Sequence, residues 1–136
     1  MILESFPKER LVPKGASIHP SSADFNIRID LQSFVLDDKT VETAFCLDGA
    51  RLPTDTRAWA YRGFAFPRNP ADGYIDGSIY IRNVHNPADV TMIRFGERRG
   101  NSISAEFSIR VDFEFERTGF QDIGIQIRVP LQICDT

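Results

Sequence analysis

Residues 102–133 read SISAEFSIRVDFEFERTGFQDIGIQIRVPLQI, and this stretch decides the fold. Ile103, Ala105, Phe107, Ile109, Val111, Phe113 and Phe115 take the odd positions; Ser104, Glu106, Ser108, Arg110, Asp112, Glu114 and Glu116 take the even ones. A strand sends successive side chains to opposite faces, so period-two alternation makes one face dry and the other wet. At about 3.3 Å per residue this strand would span roughly 45 Å, longer than usual, so it is expected to curl or to pass between two sheets. Thr118-Gly119 reads as the turn, and the return strand continues through Ile123, Ile125, Ile127, Val129, Leu131 and Ile133. Pro130 has no N–H to donate, which predicts an edge or a bulge there. A free edge at Ile123–Ile133 would offer a route to a homodimer by added strand pairing.

The same period recurs upstream. Phe25, Ile27, Ile29 and Leu31 alternate with polar residues, Asp37-Asp38-Lys39 reads as a hairpin turn, and Val41, Thr43, Phe45 and Leu47 return. A third strand is expected over 57–66, with Gly63 as a bulge exchanging the faces of Trp59 and Tyr61 for those of Phe64 and Phe66. Asn69-Pro70-Ala71-Asp72 recurs as Asn86-Pro87-Ala88-Asp89, each copy read as a turn before a strand. No window carries helical spacing. The reading is all-β: a single-domain antiparallel β-sandwich of seven or eight strands over 24–136, with a closed β-barrel as the alternative. Residues 1–23, with Pro7, Pro13, Gly15 and Pro20, read as an irregular lead-in.

At 136 residues the chain is one domain, long enough to bury a core without staples. A net charge of −3 argues against nucleic acid as partner, and no apolar run is long enough to span a membrane. Glu4 and Pro7 interrupt any signal-like segment, which predicts a cytoplasmic location. Cys46 and Cys134 are too few for a disulfide framework or a cysteine-only zinc site. No cofactor and no metal are expected, since the aspartates beside turns are explained by turn chemistry. No nucleophile motif accompanies His19 or His85, and His85 reads as an exposed turn residue, so no catalytic residue is assigned.

Two surface features remain. Asp112, Glu114 and Glu116, with Arg110 beside them, share the wet face of the longest strand. Rows of like charge steer association with oppositely charged surfaces. Trp59, Tyr61, Tyr74 and Tyr80 supply rings that could pack against a protein or stack on a sugar. The expected function is non-catalytic recognition of a protein partner through an acidic, aromatic-flanked sheet face, in the manner of immunity or inhibitor proteins. The alternative is a small-ligand or carbohydrate-binding β module with an aromatic-lined pocket.

Overall fold

The alternating stretch folds into β9 (Ser102–Val111) and β10 (Ile123–Ile133), antiparallel, with Ile103 opposite Leu131 and Phe107 opposite Ile127. Odd faces odd across the pair, so both strands bury one parity. The odd side chains from Ile103 to Phe113, and from Ile127 to Ile133, are buried; Ile123 and Ile125 are half-buried. The computed structural model describes residues 2–135.

One residue breaks the parity. Phe115 is 77% exposed, because the strand ends at Val111 and not beyond it. The Asp112 N–H donates to the Pro87 carbonyl, and the chain then turns, with Arg117 N–H on the Glu114 carbonyl and Thr118 N–H on that of Phe113.

The remaining strands are β1 (Pro13–Ser21), β2 (Asp24–Leu31), β3 (Phe34–Leu36), β4 (Lys39–Val41), β5 (Ala44–Ala50), β6 (Gly63–Ala65), β7 (Asp76–Ile81) and β8 (Val84–Arg99). β3 and β4 form a separate hairpin. Seven others close into a barrel in the order β8-β7-β5-β2-β1-β10-β9, and β9 pairs back onto β8. The fold is therefore all-β, and of the two expected architectures the closed barrel is the one that forms. A single long strand makes this possible. β8 pairs with β7 over 84–87, then with β9 over 88–99, and its register shifts between Val90 and Met92 and again between Phe95 and Arg98. Such irregularities bend a strand and raise its twist, which closes a sheet.

Closure bears on two expectations. The lead-in is not irregular throughout: β1 pairs antiparallel with β2 and parallel with β10, so the barrel begins at Pro13. Only Ile18 of β1 is fully buried, so the strand leaves no period-two signature. β10 is an edge over only part of its length: β9 flanks it throughout, while β1 flanks only Leu131–Ile133 by the pairs 16–131 to 18–133, so the β1 side of 123–130 has no strand partner. Ile133 N–H points to β9 and Cys134 N–H to β1, so by alternation Pro130 faces the β1 side one residue before that pairing starts, and no ladder bond is lost. Among the described residues the terminal strand of the sheet is three-residue β6.

The expected strand over 57–66 is mostly not a strand. Thr56–Ala58 is a 3-10 turn capped by the Asp55 carboxylate, which accepts from the Arg57 N–H, and only Gly63–Ala65 pairs, with β8. Likewise Asn86-Pro87 is not a turn but lies inside β8. The turn is Arg82-Asn83, with φ of 54° and 63°, the left-handed pair of a type I′ hairpin. Buried Asn86 holds it, donating its side-chain amide to the carbonyls of Ile79, Ile81 and Val84 and accepting from the Thr118 hydroxyl. A buried polar side chain is tolerated when it is bonded in this way.

The barrel interior is filled by side chains such as Ile29, Phe45, Leu47, Ile93, Phe107 and Leu131. Each end is closed by aromatics. Trp59 stacks on Phe95 at 5.2 Å and meets Phe25 edge-on at 5.1 Å. At the opposite end Phe6 packs on Phe34, Phe113 and Phe120.

Candidate functional site

The end closed by Phe6 gathers the segment 2–12, the β3–β4 hairpin, the Arg82-Asn83 turn and the loop 112–122. Arg82 ties them together. Its guanidinium makes a two-pronged bond to Asp37 at 2.8 and 3.0 Å, donates to the Thr118 carbonyl at 3.0 Å, lies 4.0 Å over the Phe120 ring and stands 3.7 Å from Glu4. The bond from Arg82 holds the Asp37 carboxyl below the usual carboxylate range. Gly119, at φ 96°, passes so close that a Cβ there would stand 2.9 Å from the Arg82 Nη1.

The loop 112–122 is also braced within itself. Glu114 N–H donates to the Asp122 carboxylate at 2.9 Å and Asp122 N–H to that of Glu114 at 3.2 Å, a reciprocal clasp. Glu4 flanks it, its N–H on the Gly119 carbonyl and its carbonyl accepting from Gln121 N–H. Phe113 and Phe120 point inward on either side of this clasp, while Phe115 points out. Ile2, Val12, Val35 and Tyr80 are exposed at the same end, so five of the six large exposed apolar side chains among the described residues lie here.

The acidic row is placed differently from expectation. Arg110 stays on β9, but Asp112, Glu114 and Glu116 leave the strand and belong to the end loop. Glu114 and Glu116 are exposed. Asp112 is partly buried, bonded by Arg68 Nη2 at 3.2 Å and 3.7 Å from Arg110. Arg68 also holds the buried Asp89 at 3.0 Å. The strand face itself carries Ser104, Glu106, Ser108 and Arg110, so the sheet is not an acidic face.

Burial raises the Asp112 pKa, with Arg68 opposing and Asp89 adding to the rise. A carboxyl that holds its proton more tightly when folded favours the native state at low pH. That contribution is lost as pH climbs from the unfolded value of about 3.9 through the raised folded one. Asp112→Asn, which keeps an oxygen for Arg68, is therefore expected to remove this fall. Melting temperatures of both proteins across acid to neutral pH check it, and parallel profiles would contradict the assignment.

The aromatic set is scattered. Trp59 is fully buried, its indole N–H on the Pro53 carbonyl at 2.9 Å, and it is unavailable to a ligand. Tyr61 is exposed near the opposite end, beside Gly96, and Tyr74 is half-buried in the loop before β7. Tyr80 alone joins the Phe6 end, and it meets His85, a residue of β8 and not of a turn, edge-on at 5.1 Å. Beside Tyr80 a cleft of about 340 Å³ opens between the two hairpins, lined by Leu36, Lys39, Glu42, Arg82 and Asn83. Asn86 and Arg82, which build this end, carry no sequence signal beyond an Asn-Pro pair and a lone arginine.

Among the described residues no group of three or more His, Cys, Asp or Glu side chains is placed to hold a metal ion. Among them no helix is long and apolar enough to cross a membrane. Neither a family model, nor a curated protein, nor a solved structure matches this chain.

Proposed function

We propose that the protein is a non-catalytic binding protein whose braced 112–122 loop recognises a protein partner. The observation that carries this reading is Phe115, 77% exposed between two exposed glutamates on a loop clasped at both ends. Leaving a large ring in water forgoes about 2 kcal/mol of burial, and a preorganised loop loses little freedom when it docks. Four of the loop's five charged residues are acidic, which suits a basic partner surface. The two free thiols, Cys46 and Cys134, accord with a reducing compartment, and the cytoplasm is the location this reading assigns.

The test is affinity capture with three baits of equal melting temperature: wild type, Phe115→Ser, and the pair Glu114→Lys with Glu116→Lys. The wild type is expected to retain a partner that elutes as salt rises, and both variants to lose at least nine-tenths of it. Equal capture by all three would dispose of the loop as the docking element.

A second reading attaches to the cleft beside Tyr80. An exposed ring with Lys39, Glu42 and Asn83 around it suits a sugar, which stacks on aromatic faces and bonds to planar polar groups. Binding to a glycan array that Tyr80→Ala abolishes would favour it over the first.

A further inference from the structure

The chain carries its own candidate for the basic surface that the loop requires. β6, β8, β9 and β10 lie side by side, and one row across them reads Gly63, Arg94, Glu106, Arg128. Arg128 pairs with Glu106, whose side chain is largely covered. Arg94 makes no ion pair among the described residues. Two arginines against one neutralised glutamate leave the row positive, on a molecule whose total charge is −3.

The neighbouring outward positions include the small residues Ser104, Ser108, Gly96 and Gly124 beside Gln126 and Met92. A Cβ on Gly96 would stand 2.3 Å from the Ser104 hydroxyl, which would have to rotate away. An open groove of about 610 Å³ lies here, lined by Arg94, Ser104, Glu106, Arg128 and Pro130. The arginines sit two strands apart, about 10 Å by ordinary sheet spacing. Glu106 stands between them and turns onto Arg128, so the room for a ring lies beside Arg94 and over that ion pair.

We infer that the partner is a second copy of this chain, with Phe115 of one molecule seated in the Arg94–Arg128 groove of the next and Glu114 and Glu116 paired to those arginines. The inference rests on the reading of the 112–122 loop as a docking element. Knob and groove lie on different parts of one molecule, so the contact is head-to-tail and propagates into a chain of copies. Each junction has one apolar anchor and two ion pairs at its rim, which makes it salt-sensitive.

Sedimentation velocity tests it on the intact protein. The wild type is expected to rise above 15.4 kDa as concentration increases at low salt, and to return to that mass in about 0.5 M salt. Phe115→Ser should weaken association at least tenfold. One double variant, Phe115→Ser with Glu116→Ser, lacks the knob; another, Arg94→Ser with Arg128→Ser, lacks the groove. Each should be monomeric alone. Mixed, they should give a dimer and nothing larger, because the first retains a groove and the second a knob. A wild type that stays monomeric throughout, or folded variants that fail to combine, overturns the second-copy inference. If that monomer still captures another protein through Phe115, the docking loop stands and only the identity of its partner is wrong.

Discussion

Trp59→Ala is expected to destabilise the protein by about 3–5 kcal/mol, the range for deleting a large aromatic from a packed site. The indole has no exposed surface, stacks on Phe95, meets Phe25 and donates to the Pro53 carbonyl. Its removal leaves a cavity at one mouth of the barrel and an unpaired carbonyl in the loop that forms the lid. Natural domains are stable by only about 5–15 kcal/mol, so the variant loses a large share of its margin. Urea titration measures the loss. Trp59→Phe keeps the stacking but not the N–H and should lose less than half as much. A change below about 1 kcal/mol in the alanine variant would mean that Trp59 does not plug the barrel. The result also bears on function, because a tryptophan that served a ligand could be deleted with little effect on folding.

Gly77→Ala should be the most damaging single-methyl addition in the chain. A Cβ on Gly77 would stand 2.1 Å from the Ala88 carbonyl oxygen and 2.9 Å from Leu47 Cδ2. The first of these is backbone and cannot rotate away. It belongs to the residue at which β8 leaves β7 for β9, so relief of the clash pulls on the crossing that closes the barrel. Overpacking of this sort costs about 1–3 kcal/mol and sometimes more. We expect a loss of about 3 kcal/mol and a fall in soluble yield. A variant with wild-type urea midpoint would show that β8 does not lie over Gly77. Gly124→Ala, with nothing within 4 Å of its Cβ, is the matched control.

The parity of 103–113 and 127–133 was legible because alternation is a local property. Each side chain's face follows from its neighbour's, and a run such as Ile103 to Phe113 needs no knowledge of what lies opposite. The same logic failed at Phe115. The alternation continues in the letters to Glu116, but the Asp112 N–H finds the Pro87 carbonyl and the chain turns off the sheet. The acids thereby moved from a flat face to a loop at the barrel's end. Asn86-Pro87 misled in the opposite direction. Turn chemistry is a preference of isolated dipeptides, and here three carbonyls and a threonine hydroxyl hold the asparagine inside a strand. Trp59 and the tyrosines could not be sorted from sequence, since one buried ring and three partly or fully exposed ones are the same letters until the loops are placed.

By itself the amino-acid order determined that this chain is a β protein with one apolar and one polar side to its long strands, because strand geometry converts spacing directly into facing. The folded molecule decided that the sheet closes on itself, that β1 completes it, and that Phe115 is turned outward between two carboxylates. Those outcomes depend on hydrogen bonds and contacts between residues far apart in the chain, which no local pattern encodes.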